Sequence, residues 1–133
     1  LIIADHALSA DDIEAAKKAS AVIVLATAMP AGLPRADVVL PACTYVEEEG
    51  TFTNLRGRVQ RFLQARAAPG LARPSWFILS DVLGALGEKA AFFVASEVFA
   101  DLASSHTDFS SLSYDRLGLR GLPVLQQVAG AAS

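Results

Sequence analysis

The chain has 133 residues, 53% of them hydrophobic and 19% charged, with a net charge of −3 and a pI near 5.2. That is enough for one domain with a modest core, too apolar for disorder, and too acidic overall for a basic nucleic-acid surface. Cys43 is the single cysteine, so no internal disulfide is possible and no iron–sulfur cluster or structural zinc can be held by thiolates of this chain alone.

The mean hydropathy of +0.40 is high, yet the longest strongly apolar run covers only residues 21–26. A membrane-spanning helix needs about 20 apolar residues, so no membrane insertion is expected. No basic segment precedes an apolar stretch, and no signal peptide is read within the sequence. The chain opens on Leu1-Ile2-Ile3-Ala4 without a methionine, which reads as a buried strand. Residue 1 is therefore expected to be an internal boundary of a longer polypeptide, with apolar faces meant for absent neighbours.

Residues 1–5 form the first expected strand. Ser9, with Asp12 three positions on, has the pattern of a helix start. Asp11, Asp12 and Glu14 in the first turn, with Lys17 and Lys18 at the end, match the helix dipole. Ala21-Val22-Ile23-Val24-Leu25 is continuously apolar, as expected of a strand covered on both faces. Strand, helix and strand in this order make a βαβ unit and imply a parallel sheet. Met29-Pro30-Ala31-Gly32-Leu33-Pro34 is a loop. Residues 36–40 are a further buried strand, stopped by Pro41.

Thr44-Tyr45-Val46-Glu47 is read as a capping box opening one helical turn that Gly50 ends. Residues 47–66 are expected to form a long, largely irregular connection, β-prone at 51–54, turning at Arg56-Gly57-Arg58 and with strand character at 59–64. Pro74 suits the first position of a helix. Trp76, Phe77, Leu79, Val82, Leu83 and Leu86 recur at helical spacing and predict an amphipathic helix over 74–86. Ser96 is expected to cap a helix reaching about residue 104 with Val98, Phe99 and Leu102 inward, and 113–117 gives one more helical turn. The expected class is α/β: a small parallel Rossmann-like sheet with packed helices over 1–66, then a mostly helical part over 67–133.

The most specific stretch runs Ala36-Asp37-Val38-Val39-Leu40-Pro41-Ala42, then Glu47, then Gly50-Thr51-Phe52-Thr53-Asn54-Leu55-Arg56-Gly57-Arg58-Val59-Gln60. It resembles the signature of the molybdopterin oxidoreductase superfamily, which includes formate dehydrogenases, nitrate reductases and the large iron–sulfur subunit of NADH:quinone oxidoreductase (complex I). Trp76-Phe77-Ile78-Leu79 before Leu83-Gly84, and Leu112-Ser113-Tyr114-Asp115-Arg116-Leu117, resemble later family segments. The resemblance spans about residues 20–120.

Within it, Asp37, Glu47, Gly50, Thr51, Asn54, Gly57, Arg58 and Gln60 are the candidate cofactor-side positions. The plainer expectation is a structural Glu47–Arg58 ion pair holding the crossover loop. No catalytic residue and no metal ligand are expected in this chain. Cys43 reads as a small buried hydrophobe, and His6 and His106 have no metal-ligand spacing. Asp5 at a strand end lacks the glycine-rich fingerprint that a ribose ligand needs.

The resemblance implies that iron–sulfur clusters, and any molybdenum ligand, lie in other parts of the parent chain. Relatives often carry polar residues where this chain has Pro30-Ala31-Gly32-Leu33-Pro34-Arg35. On that ground the expected role is structural: part of the complex I large subunit, on the cytoplasmic side of a bacterial inner membrane in the peripheral arm, supporting electron flow from NADH to quinone. Its expected partners are the rest of its own polypeptide and other respiratory subunits. The alternatives are a formate dehydrogenase-like molybdoenzyme contributing to a molybdopterin guanine dinucleotide pocket, and a non-redox α/β interaction domain.

Overall fold

The computed structural model describes residues 2–4, 7–88 and 92–124. Asp5 and His6 lie outside these residues, so neither reading made for them is addressed. The elements run β1 (Ile2–Ala4), α1 (Ala10–Lys18), β2 (Ile23–Ala26), β3 (Val38–Pro41), β4 (Gly50–Thr53), β5 (Arg58–Phe62), α2 (Ser75–Ala85), α3 (Ala95–Ser105), α4 (Tyr114–Leu117) and β6 (Leu122–Pro123), with a 3₁₀ turn at Thr107–Phe109 between α3 and α4.

Two three-stranded sheets carry the chain. The first is parallel in the order β1-β2-β3, with Ile2 opposite Ile23 and Ile23 opposite Val38. The second is antiparallel in the order β4-β5-β6, with Gly50 opposite Phe62 and Val59 opposite Leu122. The class is α/β, as the element pattern indicates.

Alternation along β2 explains its unbroken apolar sequence. Val22, Val24 and Ala26 pack with Ala16 of α1, whereas Leu25 packs with Ala42 and with Ile78 of α2. One helix therefore covers each face of the first sheet, and a strand covered on both sides has no polar side. The start of α1 is built as its sequence indicates: Ser9 Oγ accepts from the Asp12 N–H at 3.2 Å and Asp12 Oδ2 accepts from the Ser9 N–H at 2.9 Å.

Strand β3 departs from expectation. Its sequence reads as fully buried, yet Val38 and Val39 are 45% and 48% exposed. Among the described residues, its outer edge is met at the carboxyl end, where Ala42 forms a parallel bridge to Arg73 and the Pro41 carbonyl accepts from the Arg73 N–H. The segment 47–66 also differs: it is no irregular connection but mostly the β4–β5 hairpin. Gly57, at φ +70°, supplies the left-handed turn residue.

Helix α2 starts one residue after Pro74, whose carbonyl accepts from the N–H groups of Phe77 and Ile78. Its buried residues are Ile78 and Ser80, while Leu79, Leu83 and Leu86 of the expected inward stripe are exposed. This helix is apolar on more than one side, so periodicity alone does not choose the covered face. Helix α3 begins at Ala95, so Ser96 lies inside the first turn and does not cap it. Glu97 serves instead, accepting from the Phe93 N–H at 2.7 Å.

A separate core lies behind the hairpin. Val59 of β5 packs with Ala95 and Phe99 of α3, with Leu112, and with Tyr114 and Leu117 of α4. Among the described residues no helix is long and apolar enough to cross a membrane.

Candidate functional site

In open parallel sheets, ligands bind beyond the carboxyl ends of the strands. Here that rim is made by residues 27–33 after β2 and 42–47 after β3, held together where the Ala42 N–H donates to the Ala26 carbonyl at 3.1 Å. Glu47 organises the second loop. Its backbone N–H donates to the Thr44 carbonyl at 2.8 Å, and its Oε2 accepts from the Thr44 N–H at 3.0 Å. Its carbonyl accepts from Gln64 Nε2 at 2.9 Å.

The capping-box expectation fails in part. The segment is a turn rather than a helix, and the Thr44 hydroxyl, shut off from solvent, makes no well-aligned hydrogen bond. Beside it Cys43 is 3% exposed and its thiol is pushed up by burial and by Glu48 and Glu47.

The expected Glu47–Arg58 pair is not made. Glu47 Oε1 lies 3.4 Å from Arg66 Nε. Arg58 Nη1 points the other way, donating to the carbonyls of Gly121 at 2.8 Å and Arg120 at 3.3 Å. The physical reason is the hairpin. Arg58 stands at its tip and Glu47 precedes its root, so the strand length separates them.

Asp37 is also remote from the rim, at the amino-terminal end of β3 and roughly 16 Å from Ala42 at strand rise. Its Oδ2 accepts from the Val22 N–H at 2.7 Å and from Arg35 Nη2 at 3.0 Å. The Val22 amide, with Arg35, holds its carboxyl below the usual carboxylate range. Arg35 also donates to the Ser20 carbonyl at 2.8 Å, so the basic residue of the Pro/Gly loop is spent on the fold.

Asn54 builds the hairpin tip. Its Oδ1 accepts from the N–H groups of Arg56 at 2.9 Å and Arg58 at 3.1 Å, and Gly57 N–H returns to the Asn54 carbonyl. Thr51 lies opposite Arg61, and Gln60 opposite Phe52. At Gly50 a Cβ would come within 3.0 Å of the Phe62 ring. The signature positions therefore do not converge on one point: Glu47, Gly50 and Thr51 lie at the root, Asn54, Gly57 and Arg58 at the tip, and Asp37 at the far end of the sheet. Among the described residues no group of three His, Cys, Asp or Glu side chains could hold a metal ion.

The Glu47 arrangement has a pH signature. The Thr44 backbone amide, assisted by Arg66, holds its carboxyl below the ordinary value. A lowered folded-state pKa contributes stability above the unfolded pKa, and the contribution is lost as pH falls through the folded one. Glu47→Gln keeps an acceptor but not the charge. The wild type is expected to melt higher at neutral pH, with the gap closing in acid below the ordinary glutamate range. A gap unchanged across that range, in melting curves at stepped pH, would contradict the assignment.

What sequence reading did not find is a cavity of about 310 Å³ between the root of the hairpin and α3, lined among others by Glu48, Phe52, Trp76, Phe99 and Tyr114. Its walls come from segments up to 66 residues apart, so no local spacing announces it.

Residues 2–85 match the family described as molybdopterin oxidoreductase. The chain is 48% identical over 90 residues to the alpha subunit of an F420-dependent formate dehydrogenase 2 of Methanococcus maripaludis. It is 39% identical over 90 residues to the corresponding formate dehydrogenase 1 subunit of the same organism. It is 40% identical over 92 residues to the assimilatory nitrate reductase catalytic subunit of Bacillus subtilis. Each match covers 65% of this chain and 13% of the relative, so the chain spans about an eighth of these relatives' length.

Proposed function

The chain belongs to the molybdopterin oxidoreductase family, and from that premise we propose that it is part of the catalytic subunit of a formate dehydrogenase-type molybdoenzyme. The observation that carries this reading is the 48% identity to a formate dehydrogenase alpha subunit. The expected complex I role rested on the Pro30–Arg35 loop, which lacks the polar side chains that relatives carry there. The similar proteins named above are formate dehydrogenase and nitrate reductase subunits instead, which moves the molybdoenzyme alternative ahead.

Under this reading the rim of the parallel sheet forms part of the wall that holds the nucleotide tail of a pterin cofactor. The residues fit such a group. The Thr44 hydroxyl is shut off from solvent at the carboxyl end of β3, beside the Glu47 carboxylate but without a well-aligned hydrogen bond, and a ribose or phosphate oxygen would complete it. When bound, a molybdenum–pterin group supplies the two-electron acceptor through which formate is oxidised to carbon dioxide.

This chain's own residues position rather than react. Asp37 and Arg35 lock the amino ends of β2 and β3 together. Glu47 fixes the turn that presents Thr44. The hairpin signature from Gly50 to Gln60 gives that turn a rigid base. The partners under this reading are the rest of its own polypeptide and the subunits that accept its electrons.

The test is made on the full-length protein, purified without oxygen. Formate-dependent dye reduction, with molybdenum and a guanine nucleotide released by acid, is the expected result. Thr44→Val is expected to lower the retained nucleotide severalfold without lowering the melting temperature. Nitrate reduction without formate oxidation would instead support the reading favoured by the Bacillus relative. Iron and acid-labile sulfide with no molybdenum or pterin would overturn both and restore a scaffold role.

A further inference from the structure

We propose that the cavity between the hairpin root and α3 binds a small organic ammonium ion, received by an aromatic box with two carboxylates at its wall. The pocket of about 310 Å³ is lined by Phe52, Trp76, Phe99 and Tyr114 together with Glu48 and Glu49. Part of this wall, in α3 and α4, lies beyond residues 2–85, so the cavity is not contained in the family match. Aromatic faces attract cations through their quadrupole, more strongly where water is excluded, and alkylated ammonium ions are the usual ligands of such boxes.

The corner already holds one cation. The Arg61 guanidinium carbon lies 4.1 Å from the Tyr114 ring centroid. Glu48 and Glu49 are the charged residues of the lining, so the cavity wall itself carries negative charge in a largely apolar space. Among the described residues, Glu48 Oε2 accepts from the Ser75 N–H at 3.3 Å and has no cationic partner. Burial raises its pKa, and a counter-cation is what such a carboxylate lacks. Glu49 also acts on the Tyr114 hydroxyl, which burial and that charge push up.

A second, independent observation comes from the polar atoms. Tyr114 is 6% exposed, and its hydroxyl lies beside the Arg61 guanidinium without a well-aligned hydrogen bond. The indole N–H of Trp76 is also buried and makes no hydrogen bond. Two orphaned groups beside one cavity call for a ligand oxygen. A cation carrying a hydroxyl, such as choline, satisfies box, carboxylates and orphans together. A purely apolar ligand satisfies neither the carboxylates nor the orphaned groups.

The experiment is equilibrium dialysis of full-length protein against choline and against 3,3-dimethylbutan-1-ol, its uncharged carbon isostere. Choline is expected to bind at least about tenfold tighter than the alcohol, the worth of a desolvated cation–π and carboxylate contact. Glu48→Gln keeps the Ser75 acceptor, and is expected to erase most of that preference while leaving the alcohol's binding unchanged. Equal binding of the two probes would reduce the cavity to an apolar pocket and overturn the proposal, as would binding of neither. The readout is ligand occupancy, so the outcome is separable from whether the parent oxidises formate.

Discussion

Gly121→Ala is expected to destabilise the protein by about 3 kcal/mol, the sum of a left-handed backbone penalty and a clash with a packed strand. Gly121 has φ +69° and is buried against β5. A Cβ there would overlap the Val59 carbonyl oxygen and lie 2.6 Å from Gln60 Cγ. Neither can retreat easily. Val59 is fully buried in the hairpin core, and the Gly121 carbonyl is held by Arg58 at 2.8 Å.

Thermal unfolding is expected to fall by roughly 12 °C for a chain of this size. Gly70→Ala is the control. Its φ is +56°, but nothing lies within 4 Å of the added atom, so about 1 kcal/mol of strain is all it should cost. Equal losses in the two variants would show that β5 and the Gly121 segment do not pack as described.

The second large effect concerns Phe99. Its ring is 3% exposed and lies 6.0 Å from Tyr114 and 6.4 Å from Phe109, centroid to centroid. Phe99→Ala is expected to cost about 3 kcal/mol, at the lower end of the range for removing a buried aromatic. The reason for the lower end is the adjoining cavity, which already leaves part of the ring without neighbours. Chemical denaturation measures it. A loss above about 5 kcal/mol would mean that the space beside Phe99 is filled in solution.

Much of the fold is legible in local sequence. The run 21–25, the Ser9 cap and the two parallel pairings follow from periodicity and capping chemistry. The hairpin is half legible: Asn54 and Gly57 announce its turn, but a strand opening on Gly50 and Thr51 carries no strong apolar alternation. The exposure of Val38 and Val39 is invisible, because a strand written for burial reads the same whether or not its cover is present.

Charged partners were the least legible part. Glu47 has several arginines within chain reach, and sequence cannot rank them. Only the geometry of the hairpin sends Arg58 to Gly121 and leaves Arg66 for Glu47. The cavity was illegible for the same reason, since Glu48 and Tyr114 meet only in the folded chain.

The tie between Arg58 and Gly121 also orders events during synthesis. The parallel sheet is complete once β3 has emerged, because its helix and strands are neighbours in sequence. The hairpin can form soon after, yet Val59 stays uncovered until α3, α4 and β6 follow, and the Val124 N–H must still reach the Gly57 carbonyl. At about 5–20 residues per second, the stretch from β5 to Val124 takes a ribosome several seconds. For that interval β5 leaves Val59 and one backbone edge uncovered on an incomplete sheet, a state open to chaperones and to wrong strand partners. Closing so long a loop adds little to the equilibrium cost but delays the final docking. A nascent chain stopped near residue 85, where the family match ends, would therefore carry the signature hairpin without the cover that protects it.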